Sequence, residues 1–207
     1  MTRIILIRHG QTQWNERERF RGRADLDLTD LGVRQSHITA EAVAKWPVSA
    51  LYSSPLPRAM HTAQILAHRL QVPVQPLPGI IDVDYGQWQG LSVAEVAARY
   101  SELFEVWRTK PHLVTFPGGE GVEAVRLRAK AAMEEVAQQH LNQTIALVSH
   151  VVVCRLLVLS VLGLDSSYFW RVEQNLCAIN IFEVRDGYFV AALLNDTCHL
   201  KRAGLEG

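Results

Sequence analysis

The stretch Ile4-Ile5-Leu6-Ile7-Arg8-His9-Gly10 decides the fold. Four branched apolar residues followed by two polar residues and a glycine are typical of a short strand buried on both faces of an α/β sheet. Open α/β sheets bind their ligands just beyond the carboxyl ends of such strands. An arginine and a histidine at that point place an anion-binding group beside a nucleophile or base. The run therefore predicts a strand over residues 3–8 that ends in a binding site.

Strands and helices alternate along the rest of the chain, which favours a mostly parallel sheet. Apolar spacing and turn residues predict extended segments at 49–53, 72–81, 144–149, 176–184 and 188–194. They also predict helices at 30–45 with Thr29 as N-cap, from Pro55 and Pro57 to Leu70, at 92–100, 101–109 and 122–136, and directly after His150. We expect an α/β three-layer sandwich with helices on both faces of the sheet, formed by residues 1–207 as a single domain.

The composition bounds the class of protein. The chain has 207 residues, of which 48% are hydrophobic, and its 21 basic residues balance 21 acidic ones. No global charge therefore favours nucleic acid or a membrane surface as a partner. No secretory leader or membrane span is apparent, and three dispersed cysteines form neither a disulfide framework nor a zinc motif. We expect a cytoplasmic protein, with a homodimer left open.

Three predicted strand ends carry polar residues of one chemical type. Arg8-His9 follows the first strand, Ser53–Arg58 follows the second, and Ser149-His150 ends a later one. In a parallel sheet these ends face the same edge, so two histidines and two arginines can converge there. The helices that follow add N-terminal backbone donors, which suit a phosphate group. The pattern predicts an anion site.

The ordered motifs of the chain resemble one family across nearly its whole length. They are Leu6-Ile7-Arg8-His9-Gly10-Gln11-Thr12 with Asn15, Phe20-Arg21-Gly22, Asp27–Gly32, Ser53–Ala59, Gly86-Gln87-Trp88-Gln89-Gly90, Phe116–Glu120 and Val148-Ser149-His150. The chain is identified as a member of the histidine phosphatase superfamily. It resembles the phosphoglycerate-mutase-like branch, of the broad-specificity or α-ribazole phosphatase type.

That resemblance implies the roles of the site residues. His9 would be the nucleophile that becomes phosphohistidine, His150 the second histidine, and Arg8 and Arg58 the clamp on the phosphoryl oxygens. Further phosphate contacts are expected from Gly10, Gln11, Thr12, Asn15, Arg21 and Gly22. No metal ion or other cofactor is required for these steps. The alternating Arg17, Arg19 and Arg23 either guide an anionic substrate inward or form a solvated loop, and we favour the loop.

The proton donor is the point at which the chain departs from the family. The family usually has Glu where this chain has Asp82, and Asp84 would share a face with Asp82 in an extended segment. We favour Asp82 because the following Tyr85–Trp88 motif fixes the register. The alternatives are Asp84, or an Asp82 that merely balances arginine charge.

Three functions are compatible with these residues. A metal-independent phosphatase acting on small phosphomonoesters leads. A phosphoglycerate mutase is the alternative, although the basic residues expected of it are incomplete at 90–92 and 107–109. A non-catalytic phosphate-ligand sensor would not need the nucleophile. The expected partner is a small phosphorylated metabolite: a sugar phosphate, phosphoglycerate, a nucleotide-related monoester or α-ribazole phosphate.

Overall fold

The computed structural model describes residues 1–16 and 19–205, so Arg17 of the basic run lies outside the described residues. A central sheet contains six strands in the described chain. They are β1 (Arg3–Arg8), β2 (Val48–Ser53), β3 (Val74–Pro76), β4 (Thr144–Ser149), β5 (Ile179–Arg185) and β6 (Tyr188–Asp196). Their spatial order is β3-β2-β4-β1-β5-β6.

The sheet is mixed but mostly parallel. β1 and β2 both pair in parallel with β4, and β3 continues this direction beside β2. β5 runs antiparallel to β1 and connects to β6 through the predicted hairpin turn. The predicted α/β class is confirmed, with the one reversed strand on the side of the sheet away from β2.

Eight helices surround the sheet in the described residues. They are α1 (Gln13–Glu16), α2 (Asp30–Val43), α3 (Pro57–Leu70), α4 (Val93–Arg99), α5 (Ser101–Thr109), α6 (Val122–Gln139), α7 (Val151–Val161) and α8 (Cys198–Ala203). Thr29 caps α2 as predicted, since its side chain accepts a hydrogen bond from the Gly32 N–H. The predicted extended segment at 72–81 is shorter than expected, because β3 ends at Pro76 and a 3₁₀ turn covers Pro78–Ile80.

The side chains of β1 pack against helices on both faces of the sheet, which gives the fold its three layers. These side chains alternate between two cores, so that Ile4 and Leu6 pack with residues of α6 and α7. Ile5 and Ile7 pack on the opposite face with residues of α2 and α3. All four side chains are fully buried. A strand that must be apolar on both faces reads as an unbroken hydrophobic run, as the sequence does here.

Neither a membrane span nor a disulfide occurs in the described part of the chain. No helix there is both long and apolar enough to cross a membrane. The most apolar one, α7, has 11 residues and is interrupted by Arg155. All three cysteines are free thiols.

Candidate active site

The parallel register brings the predicted site residues together. Arg8 at the end of β1 lies opposite Ser149 at the end of β4, and β2 ends on the other side of β4. The next residue of each strand, His9, His150 and Ser54, therefore lies at one edge of the sheet. The rings of His9 and His150 are 5.2 Å apart between centroids. Both histidines are buried, so water has little access to them.

His9 is held in the form that a nucleophile needs. Its Nδ1 lies 2.7 Å from the carbonyl oxygen of Gly10. A carbonyl only accepts, so Nδ1 must carry the proton and Nε2 keeps its lone pair. Burial holds the pKa of His9 well below its ordinary 6.5, and the charges of Arg58 and Arg8 lower it further. The imidazole is therefore neutral at neutral pH.

Two buried guanidinium groups flank the histidines. Arg8 donates to the carbonyl of Gln174 at 2.6 Å. Arg58, at the start of α3, donates to the carbonyls of Gly22 and Ala24 at 2.6 and 3.0 Å. The Nε atom of each arginine is buried and has no hydrogen-bond partner among the described residues. Buried donors without partners are rare, so those of Arg8 and Arg58 are available to an anionic ligand.

The His150 ring is held by the hydroxyl of Ser54, a residue to which the sequence assigned no role. Its Nε2 lies 2.6 Å from the Ser54 hydroxyl, which also accepts from the Leu56 N–H at 3.4 Å. With that hydroxyl proton directed to Nε2, a neutral His150 carries its own proton on Nδ1. Burial holds the pKa of His150 well below 6.5, and Arg58 and His9 add to the effect. Nδ1 has no hydrogen-bond partner in the described chain and can donate to a phosphoryl oxygen.

Asp82 lies against this cluster. Its Oδ2 accepts from Arg58 at 2.9 Å and is 3.7 Å from His150 Nδ1. Its Oδ1 accepts from the Val83 N–H at 3.0 Å. Burial raises the pKa of this carboxyl, and the charges of Arg58 and Arg21 oppose that rise only in part. A carboxyl with a raised pKa can hold a proton at a higher pH than an exposed aspartate.

Asp84 lies in a different environment. Its Oδ1 accepts from the Gly86 N–H at 2.8 Å, and its Oδ2 is 3.6 Å from an Arg23 nitrogen. Its side chain is 34% exposed, whereas that of Asp82 is 4% exposed. Asp82 contacts both His150 and Arg58, while the contacts of Asp84 stabilise the following turn.

The loop that carries Asp82 is clamped from α6. Arg128 donates to the carbonyls of Gly79, Ile81 and Asp82 at 2.8, 2.8 and 3.1 Å. The same guanidinium pairs with Glu120 at 3.0 Å. The Arg128 guanidinium thus bonds to three backbone carbonyls and one carboxylate. These contacts fix the backbone around Asp82, so Arg128 is a positioning residue. The sequence contains no signal for this role, since Arg128 lies on a helix of mixed charge.

A cavity of about 440 Å³ opens onto the cluster. Its described lining consists of Arg8, Asn15, Arg19, Phe20, Arg21, Asp82, Tyr85, Val93, Phe104, Trp107, Arg108, Val151, Val152, Arg155, Phe169 and Trp170. His9, Arg58 and His150 lie beneath this lining, fully buried, and connect to it through Arg8 and Asp82. The cavity thus has a cationic floor and aromatic walls. Sequence reasoning missed Arg155 and most of these walls, because the residues that form them are far apart along the chain.

The remaining predicted contacts fall into two groups. Asn15 and Arg21 line the cavity. The Asn15 side-chain oxygen accepts from the backbone and hydroxyl of Thr12, so its amide donors stay available. Gly10, Gln11, Thr12 and Gly22 are not among the described lining residues. The Gln11 N–H donates to Gln35, and the Gly22 carbonyl accepts from Arg58, so both support the site from behind.

Comparisons with known proteins identify the family. The model of the histidine phosphatase superfamily (branch 1) matches residues 4–197. Phosphoserine phosphatase 1 of Hydrogenobacter thermophilus is 36% identical over 200 residues, covering 97% of this chain and 95% of that protein. Among solved structures, Bacillus stearothermophilus YhfR is similar with a TM-score of 0.92 at 26% identity, covering 97% of this chain and 100% of that one.

A second solved structure is a phosphoserine phosphatase mutant from Entamoeba histolytica in complex with phosphoserine. It has a TM-score of 0.87 and 26% identity, with 97% and 100% of the two chains covered. The chain described here belongs to the histidine phosphatase superfamily. It is a phosphatase of the phosphoglycerate-mutase-like type, as the sequence motifs predict.

The two histidines make folding stability depend on pH. Their pKa values lie well below 6.5 in the folded protein, because both are buried beside Arg58, and near 6.5 when unfolded. The unfolded state therefore binds more protons as the pH falls below 6.5. As the pH falls below 6.5, each histidine should lower the free energy of unfolding with a slope that approaches about 1.4 kcal/mol per pH unit. Urea denaturation between about pH 7.5 and about pH 5.5 measures this slope. His150→Gln should reduce it, and equal slopes would contradict the prediction.

Proposed function

We propose that this phosphatase hydrolyses small phosphomonoesters through a phosphohistidine on His9, without a metal ion. The observation that carries the proposal is the geometry of buried His9, whose Nδ1 faces the Gly10 carbonyl so that Nε2 keeps its lone pair, in the electrostatic field of Arg58 and Arg8. A phosphomonoester hydrolyses very slowly in water, and a covalent intermediate divides the reaction into two easier displacements. A cationic clamp suits the charge that spreads over the equatorial oxygens of the transition state.

In the first step, His9 Nε2 attacks phosphorus and the bond from phosphorus to the ester oxygen breaks. Protonated Asp82 gives its proton to the leaving alkoxide, which departs as an alcohol. The guanidinium groups and the Nδ1–H of His150 donate to the phosphoryl oxygens. The raised pKa of Asp82, caused by burial, favours this role.

In the second step, water attacks the phosphohistidine. Asp82, now a carboxylate, takes a proton from the water, and the bond from His9 Nε2 to phosphorus breaks. Inorganic phosphate leaves, and the site returns to neutral His9 and protonated Asp82. One carboxyl thus acts as acid and then as base.

The relatives support a phosphorylated hydroxy or amino acid as the leading candidate among small phosphorylated metabolites. Phosphoserine is named for the H. thermophilus enzyme and is bound in the E. histolytica structure. We propose phosphoserine as the first substrate to test. The absence of nucleic-acid and membrane partners and the cytoplasmic location remain predictions from the sequence, and a homodimer is left open.

A panel of phosphomonoesters assayed with and without a chelator tests this function. We expect phosphate release from phosphoserine, 3-phosphoglycerate and p-nitrophenyl phosphate, unchanged by chelator. Loss of turnover on chelation would contradict the metal-independent mechanism. An assay with 3-phosphoglycerate and catalytic 2,3-bisphosphoglycerate distinguishes the alternative, since conversion much faster than phosphate release would indicate a mutase. No turnover of any ester would favour the sensor.

A further inference from the structure

Arg155 is a half-buried charge that the proposed mechanism does not use. It is the only charged residue of α7, whose sequence is otherwise apolar except for Cys154 and Ser160. Residues 151, 152 and 155 line the cavity, which is the spacing of one helix face, while the opposite face packs into the core. The charge therefore projects from the one face of α7 that faces open space.

Two aromatic rings hold this guanidinium in place. Its central carbon lies 5.0 Å from the ring centre of Phe169 and 5.1 Å from that of Trp170. Trp170 is itself fixed, because its indole N–H donates to the carbonyl of Trp107 at 2.8 Å. A guanidinium held over ring faces keeps its in-plane N–H groups available for a ligand. The Nε of Arg155 is buried and has no hydrogen-bond partner among the described residues.

Each of the other cations of the cavity has a polar partner, and Arg8, which donates to Gln174, is the one assigned to the phosphoryl group. Arg19 donates to the Gly90 carbonyl at 2.5 Å, and Arg21 donates to the Trp14 carbonyl at 3.1 Å. Arg108 pairs with its helical neighbour Glu105 at 3.5 Å. In the described chain Arg155 contacts the two rings and interacts electrostatically with Tyr85, with exposed Glu173 and with Arg8. Arg155 is thus the cavity cation best placed to take an added ligand.

Arg155 lines the same cavity as Arg8 of the phosphoryl clamp but comes from a different element, α7. It follows His150 by five residues on α7, a rise of about 7 Å along the helix axis. A single planar fork in an apolar wall matches a monoanionic carboxylate better than a second phosphate, which would require more positive charge. We propose that Arg155 determines specificity by binding a carboxylate on the alcohol part of the substrate. The inference rests on the proposed function and narrows its substrate class.

Matched substrates with and without a carboxylate test the inference. O-Phosphoserine is compared with O-phosphoethanolamine, and 3-phosphoglycerate with glycerol 3-phosphate. In the unmodified enzyme the carboxylated member of each pair should have the higher kcat/KM. Arg155→Met should lower kcat/KM for the carboxylated member by about 10- to 100-fold, mainly through KM. The other member and p-nitrophenyl phosphate should change by less than about twofold. Arg155→Lys should recover part of the loss, since the charge remains.

Arg171→Met is the matched control, because this exposed arginine contacts the ring of Tyr168 outside the cavity. It should leave both substrate pairs unaffected. A merely structural Arg155 would lower the rates of all substrates together when replaced, and that result would overturn the inference. Equal rates for both members of each pair in the unmodified enzyme would also overturn it. In either case, turnover of p-nitrophenyl phosphate through a labelled His9 would leave the proposed function standing.

Discussion

Replacing His9 by asparagine should abolish phosphoenzyme formation and lower kcat/KM by at least about 10⁴-fold, the scale expected when a nucleophile is removed. Asparagine can still donate to the Gly10 carbonyl from the position of Nδ1, so the local structure is kept. What it lacks is the Nε2 lone pair. The loss therefore reports on bond formation to phosphorus and not on disruption of the β1 end.

Acid-quench labelling with a phosphorylated substrate measures the intermediate directly. The unmodified enzyme should give an adduct that is labile in acid and stable in base, located on His9. His150→Gln serves as the control, because glutamine can keep a contact to Ser54 while removing the Nδ1 donor. That variant should still form the adduct, more slowly. An adduct on any other residue, or labelling of His9→Asn, would contradict the mechanism.

The sequence predicts the floor of the site because local patterns specify it. The apolar run before Arg8 requires a doubly covered strand, and parallel pairing then places the ends of β1, β2 and β4 side by side. The convergence of His9 and His150 follows from this topology. Their burial and the tautomer of His9 do not, since they depend on which carbonyl each ring nitrogen meets.

The walls of the site could not be predicted in the same way. Trp107, Arg155 and Trp170 come from three separate elements, and each is explained equally well as a packing residue when taken alone. Their contacts with each other depend on long-range packing, which no local period in the sequence encodes. Of these three residues, Arg155 has the most unusual sequence context, because it is a charge inside an apolar helix.

The roles of Asp82 and Asp84 can be distinguished by how the rate loss of each Asp→Asn variant depends on the leaving group of the substrate. Asp82→Asn should lower kcat/KM for alkyl phosphates by about 10²- to 10⁴-fold, the usual contribution of a general acid. p-Nitrophenyl phosphate, whose leaving group needs little protonation, should lose much less in the phosphorylation step. Asp84→Asn is the matched control, since that side chain is one-third exposed and bonds to the Gly86 N–H. It should affect stability more than rate. A large loss confined to Asp84→Asn would show that the assignment of Asp82 is wrong.

The pH dependence of kcat/KM gives a second test of Asp82 as the proton donor. A residue with a merely structural role would leave the shape of this profile unchanged. Burial raises the pKa of the Asp82 carboxyl, so the protonated acid persists above the usual range and is lost as the pH rises through the folded value. With alkyl phosphates, kcat/KM of the unmodified enzyme should therefore fall on the alkaline side, and Asp82→Asn should lack that limb. Asp82→Glu should retain it, because glutamate is the residue that the family usually has there.

The Arg58 contact limits how far the pKa of Asp82 can rise, since the same guanidinium at 2.9 Å stabilises the carboxylate needed in the second step. Replacing Arg58 should thus weaken phosphate binding and shift the alkaline limb to higher pH, and an unshifted limb would mean that another group supplies the proton.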